Sequence, residues 1–500
     1  MQFTSFEFLI FFPVVVLLFY AMPRKLKQPW LLAASYYFYM GWNAKYAVLI
    51  LASTVITYLC ALLLERCGTQ QKNKQKLVLA AGIVLNLAIL VFFKYFYFLH
   101  DTFASITALF GAQVPASKLD IILPVGISFY TFQAVGYTID VYRGTVRAER
   151  NFVRYALFVS FFPQLVAGPI ERSGNLLKQI QKISATAPQE RLWSFDKATR
   201  GLLLMLWGYF MKMVIADRAA VLVNQVYGIY YMFNGVALLC AAVLFAVQIY
   251  CDFASYSVIA MGAAKVLGIE LMTNFEAPFF SRNIGEFWRR WHVSLSSWFR
   301  DYLYIPLGGS RCARPRKYLN NMITFVVSGL WHGASWHYVV WGAIQGAYIV
   351  IGDMLRPVKA KCMELLHVRT KTFGYRFCQG VCTFALFVLS LVFFRADTVA
   401  DARYYLQRLF TTFDVWSLFD ESVYYLGLDK KEMGVLMVGI LMLLIVDACY
   451  AKKKMLFDAL VKEQCLAVQY GIVAVLLVMV IVFGVYGEGY DASQFIYFQF

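Results

Sequence analysis

Residues 466–487 read LAVQYGIVAVLLVMVIVFGVYG, a run without one charged side chain. A helix needs roughly 17 to 25 such residues to cross ~30 Å of hydrocarbon, and buried helices of soluble proteins are rarely so long and so clean. Five other stretches match it: 46–64, 77–93, 121–139, 233–250 and 377–394. Shorter apolar runs at 8–22, 30–42, 152–168, 201–215, 320–333, 338–351 and 433–446 are candidates for further spans, amphipathic helices or re-entrant segments. The fold class they predict is all-α: a polytopic membrane protein with about eleven transmembrane helices plus re-entrant or short helices.

Composition says the same. The 500 residues are 61% hydrophobic and only 15% charged, with a mean hydropathy of +0.61, whereas about a quarter of a soluble chain is charged. A water-soluble core cannot absorb that much apolar surface. No basic stretch precedes the first apolar run, since Arg24 is the first cationic side chain; that run is expected to be a retained span and not a cleaved signal. No internal repeat, low-complexity tract or Pro/Gly/Ser-rich linker divides the chain, so a single domain over 1–500 is the simplest organisation.

The net charge of +17 could suggest a polyanion, but the cations are gathered in particular loops. Arg24, Lys25 and Lys27 follow the first run; Arg66, Lys72, Lys74 and Lys76 follow the third; Arg143, Arg147, Arg150 and Arg154 follow the one ending near Asp140. Loops between them, such as 100–120, are nearly free of Lys and Arg. That alternation is the positive-inside pattern, so the basic loops are expected in the cytoplasm and nucleic acid is not expected as a partner. The acidic loop with Asp414, Asp420, Glu421 and Asp429 falls outside, and so do both termini. Two external termini require an even number of crossings, so a count near eleven must resolve to ten or twelve, or one short segment is not a span.

Between two basic stretches, 282–317 and 353–371, lie two apolar arms of about 14 residues. Each would rise only ~21 Å as a helix, less than a crossing, which predicts a hairpin entering from the cytoplasm. Its tip is Trp331-His332-Gly333-Ala334-Ser335-Trp336-His337.

The ten cysteines are scattered, with none in the external loops 100–120 and 397–431, so disulfides are not expected and no spacing suggests a metal knuckle. Phosphate-binding loops, nucleophile elbows and H-E-x-x-H are missing. Polar punctuation inside apolar surroundings remains. His332 is first, because an ionisable group at membrane depth is a functional candidate and an imidazole suits proton abstraction from a hydroxyl. A structural histidine bonded to a carbonyl is the alternative. His337, five residues on, does not share its helix face, and interfacial packing is its expected role. His292 is second, in EFWRRWHVSLSSW (286–298), which runs on through Arg300-Asp301-Tyr302 to Pro306-Leu307-Gly308-Gly309. Tryptophans interleaved with arginines suit a membrane surface, yet Arg289 and Arg290 could equally hold the phosphates of a thioester donor.

Together these residues resemble the membrane-bound O-acyltransferase (MBOAT) superfamily. The resemblance rests on Phe287-Trp288 to Leu295-Ser296, Arg300-Asp301-Tyr302, Pro306 to Gly309 and Gly329-Leu330-Trp331-His332-Gly333. It extends to Leu123-Pro124-Val125-Gly126-Ile127-Ser128-Phe129 with Gln133, to Phe162-Pro163-Gln164-Leu165-Val166-Ala167-Gly168-Pro169, and to Gln248-Ile249-Tyr250-Cys251-Asp252-Phe253. The closing FIYFQF (495–500) is similar too. The bacterial alginate and peptidoglycan O-acetylation branch is nearest.

That resemblance implies a ring of helices around a thin centre, with a tunnel from a cytoplasmic donor entrance to an outer funnel. It puts His332 at the catalytic histidine and His292 at the second histidine, with Trp331, Gln248 and Asp252 as supports; a helix-end aspartate at an interface is the plain alternative for Asp252. It further implies acyl, most simply acetyl, transfer from acetyl-CoA or an acyl carrier protein, with no bound cofactor or metal. An extracytoplasmic SGNH-type acetyltransferase would complete the path, in the cytoplasmic membrane of a bacterium. Tyr497, a phenol in an aromatic tail, is a candidate transient acyl carrier, with a docking strand or an interfacial aromatic anchor as the alternative. D-alanyl transfer from a carrier protein is the nearer rival activity. A transporter is the remoter one, for no paired interrupted spans are visible.

Overall fold

The computed structural model describes residues 1–68, 71–117, 119–185, 194–486 and 495, and among these every regular element is helical. The longer helices are α1 (Phe6–Ala21), α2 (Arg24–Met40), α3 (Tyr46–Cys67), α4 (Lys72–Leu90), α5 (Phe96–Ala108), α6 (Ile127–Tyr142), α7 (Phe152–Ser160), α8 (Lys178–Ala185), α9 (Phe195–Tyr209), α10 (Asp217–Gly228) and α11 (Gly235–Val266). After them come α12 (Ile284–Arg290), α13 (Val293–Phe299), α14 (Arg314–His332), α15 (Trp336–Met354), α16 (Arg356–Leu365), α17 (Phe373–Arg395), α18 (Val399–Thr411), α19 (Lys430–Lys453), α20 (Phe457–Lys462) and α21 (Leu466–Phe483).

Six helical stretches among the described residues are long and apolar enough to cross a bilayer: Tyr46–Cys67, Lys72–Ala108, Gly235–Val266, Phe373–Arg395, Lys430–Lys453 and Leu466–Phe483. α15 and α16 would make a seventh only if counted together as one span, and they are bent by 50° at their junction. The count of eleven is therefore not confirmed. The spans differ in what covers them: 83% of the apolar window in Gly235–Val266 is buried within the protein and only 6% of that in Leu466–Phe483, so the first is core and the second is bare towards lipid. Residues 433–446, expected as a short segment, extend into the full-length α19, which opens on a reciprocal cap between Asp429 and Glu432.

The chain packs as two compact units. The first takes in Met1–Met205 and Tyr256–Met272, together with Phe495. Its core is polar-stitched: Ser53 donates to Asn86 at 2.6 Å, the Tyr155 hydroxyl to Thr57 at 2.6 Å, and the Gln133 amide to the Phe158 carbonyl at 2.5 Å. The Gln164 amide donates in turn to Gln133 Oε1 at 3.0 Å. The apolar run 121–139 does not form one span, since α6 starts only at Ile127. Gly126 precedes it in the left-handed region (φ 75°), where a Cβ would press to 3.0 Å from the Leu165 carbonyl oxygen. A glycine is needed there on both counts, and the two motifs around Gly126 and Leu165 lock together through it. Residues Ile127 to Thr138 are all buried, so the run is apolar because it is core.

The second unit takes in Leu206–Ser255 and the chain from Thr273 to residue 486. Its centre is the α14–α15 hairpin. Gly329 and Gly342 face each other with such a close approach that a Cβ on Gly329 would collide with the Tyr338 carbonyl oxygen, and one on Gly342 with that of Phe325. Small residues at a crossing let two membrane helices meet backbone to backbone. Each arm has 19 residues, or ~28 Å of rise, against the 21 Å expected. The hairpin stands, but its arms reach nearly a full crossing, because the basic turn at Arg314–Tyr318 continues the helix that hydropathy alone would have stopped.

Candidate active site

His332 is the last residue of α14, buried, about 27 Å along the helix from Arg314. Its imidazole lies within 5.1 Å of the Trp331 ring, 5.3 Å of Trp341 and 5.4 Å of Phe394, centroid to centroid. Trp341 and Phe394 come from α15 and α17, so three helices fix one ring.

His292 is buried as deeply, 4.5 Å from the Phe253 ring and 5.9 Å from Trp331. Trp331 therefore touches both histidines. The backbone at His292 is unusual, with φ 44° and ψ 54° in the left-handed region that a residue with a Cβ enters at a cost. Asn274 holds it there: its carbonyl accepts from Val293 N at 2.9 Å and its side chain from Ser294 N at 3.3 Å. The strained joint separates α12 from α13 and turns the imidazole inward. Asn274 went unremarked in the sequence, for its clamp closes only in three dimensions.

A cavity of about 450 Å³ opens beside this pair, within the usual size of small-molecule sites. Trp288 and Arg289 of α12, Ser296 of α13, Arg300 after it, and Thr324 and Ser328 of α14 are in its wall. Asn321, Thr324, Ser328 and His332 follow the spacing of one helical face, so the cavity wall runs as a polar stripe to one turn short of the imidazole. The Thr324 hydroxyl donates to the Asn320 carbonyl at 2.7 Å and Ser296 to that of Trp291 at 3.2 Å, which leaves their lone pairs for an amide N–H. The stripe was legible in residue spacing and was missed.

Of the paired arginines, only Arg289 reaches the cavity. Arg290 turns away to Glu286, 2.5 Å off, and to the Ala277 carbonyl, so the expectation that both arginines face one site is corrected; the second arginine in the cavity wall is Arg300. Asp252 is no helix-end residue. It lies within α11, buried, and its carboxylate is 2.6 Å from Lys212, which also pairs with Asp217 at 2.7 Å. Lys212 sits on a π-helical turn, Phe210–Ala216, a distortion often found at functional sites. Gln248, one turn before Asp252, is buried on the same helix. His337 is buried, with Nδ1 3.1 Å from the Phe393 carbonyl. Tyr497 lies outside the described residues.

A buried imidazole pair near a cavity lined by Arg289 and Arg300, in a chain with six helices long and apolar enough to cross a bilayer, suits group transfer by a polytopic membrane protein. The model of the MBOAT, membrane-bound O-acyltransferase family, matches residues 147–380. The chain is 36% identical over 444 residues to the probable alginate O-acetylase AlgI of Azotobacter vinelandii, covering 89% of this chain and 83% of that one. It is 31% identical over 421 residues to the peptidoglycan O-acetyltransferase of Helicobacter pylori, 78% and 76%. A teichoic acid D-alanyltransferase of Streptococcus thermophilus matches over 46% of this chain at 32% identity. The chain belongs to the membrane-bound O-acyltransferase family, in the branch resembling AlgI, and is an O-acyltransferase.

Proposed function

We propose that the protein moves an acetyl group from a cytoplasmic thioester to a hydroxyl on the outer side of a bacterial cytoplasmic membrane, for O-acetylation of an extracytoplasmic polymer. The observation that carries this reading is the polar stripe of α14, which runs along the arginine-lined cavity to Ser328, one turn short of His332. Arg289 and Arg300 suit the phosphates of acetyl-CoA. The hydroxyls of Thr324 and Ser328 suit the amides of its pantetheine arm, which would bring the thioester to the imidazole. His332 accepts the proton of the attacking hydroxyl, the oxygen adds to the thioester carbonyl, and the thiolate leaves with that proton. Trp331, Trp341 and Phe394 exclude the water that would hydrolyse the donor. Lys212, Asp252 and Gln248 support the core behind His292.

The basic loops face the cytoplasm, and both termini lie outside. Tyr497 would carry the acetyl group to an SGNH-type partner. Phe495, two residues earlier, is buried with its ring 5.3 Å from that of Tyr256. Tyr497→Phe keeps the ring and loses the nucleophile; normal polymer acetylation in that variant would refute the relay.

The relatives named for alginate and peptidoglycan favour acetyl over D-alanyl transfer, for they match most of the chain. The deciding experiment offers reconstituted protein labelled acetyl-CoA, acetylated carrier protein and D-alanyl carrier protein. Label transferred from acetyl-CoA is expected; transfer from the D-alanyl carrier alone would overturn the assignment.

A further inference from the structure

Among the described residues, little packs over helix α16. From Leu355 to Thr372 every residue is exposed except Met363, which is half-buried with its sulfur 3.3 Å from the Tyr375 hydroxyl. Exposure reaches 77% at Leu365, 72% at Leu366 and 57% at Val358. A helix of ten residues is marginal in water without a surface to pack on, so these side chains require a covering that the described residues do not supply.

Their arrangement says what the covering is. Leu355, Val358, Cys362, Leu365 and Leu366 follow steps of three and four and form one apolar face. Lys359 and Lys361 border that face on either side, and Glu364 lies opposite. Arg369 and Lys371 add to the positive charge, against that single carboxylate between 355 and 372, while Arg356 pairs with Asp353 at 2.9 Å. The 50° bend between α15 and α16 turns α16 off the axis of α15.

We propose that α16 lies in the headgroup layer of an anionic lipid leaflet, with its leucines among the acyl chains and its lysines on lipid phosphates, and so anchors the α14–α15 hairpin that carries His332. An apolar stripe bordered by cations is the pattern of an interfacial helix, and the cations add attraction to an anionic surface. This inference is independent of the donor and acceptor of the acyl transfer.

Amide hydrogen exchange on the whole protein in nanodiscs tests it, with phosphatidylcholine alone or mixed with phosphatidylglycerol. The peptides covering 355–368 are expected to exchange at least about tenfold more slowly in the anionic discs. Lys359→Glu/Lys361→Glu/Arg369→Glu should abolish that difference, while α14 and α17 keep their protection in every disc as the measure of a folded protein. Equal exchange in the two lipids overturns the proposal. So does protection that appears only with an acidic carrier protein, or only as the protein is concentrated, since the cover would then be a protein.

Discussion

At the scale of single residues, the two histidines are set by different means. His332 ends a helix and is gripped by rings from three helices. His292 is placed by a strained backbone that Asn274 holds. The first was legible as a candidate in the sequence, since an imidazole between Trp331 and Gly333 at the tip of apolar arms is an ionisable group in apolar surroundings. The second was legible as a residue but not in its geometry, because Asn274 stands 18 positions away and no local pattern marks it. The arginines make a sharper test, since adjacent cations in sequence point in different directions. Arg289→Ala removes a charge-assisted contact worth about 1.5–3 kcal/mol and is expected to raise the KM for acetyl-CoA about tenfold or more. Arg290→Ala breaks the pair with Glu286 instead and should leave that KM unchanged. Steady-state kinetics of the two variants with varied donor checks both outcomes.

At the scale of elements, the hairpin was visible as two apolar arms around a polar tip. Their length was not, because the charged turns that extend them count against hydropathy while keeping the helix. Residues 121–139 misled in the opposite way: an apolar run does not say whether it faces lipid or core, and Gly126 breaks the helix within it. What couples the arms to the cavity is Gln345 of α15. It accepts from Trp288 Nε1 at 3.1 Å and donates to the Ser390 hydroxyl at 2.7 Å, joining α12, α15 and α17 in one buried chain. Gln345→Leu leaves the Trp288 N–H buried without an acceptor and is expected to cost about 1–3 kcal/mol, read as a lower unfolding temperature in detergent. Ser328→Leu, one turn from His332, should leave that temperature near wild type while cutting turnover with acetyl-CoA. A Ser328→Leu enzyme of full activity would remove the stripe from the donor path.

At the scale of the whole molecule, the division into two units could not be read from the sequence, since it falls inside continuous helices and no linker marks it. The membrane character could, from composition and uncharged runs alone. The orientation is open to direct test in a background with the other nine cysteines replaced. Cys67, after the third helix, should react with a membrane-impermeant thiol reagent only in permeabilised cells. A cysteine introduced at Ser105, in a background also lacking Cys67, should react in intact ones; the reverse would invert the topology. The measurement that bears most directly on the chemistry is acetyl transfer in proteoliposomes, with labelled acetyl-CoA and a soluble hydroxyl acceptor, comparing wild type with His332→Ala and His292→Ala. Loss of a general base costs typically a hundredfold or more, up to about 10⁴-fold, so His332→Ala is expected to lose at least about that much turnover while inserting normally, and His292→Ala to lose less. Wild-type turnover in His332→Ala would contradict the account.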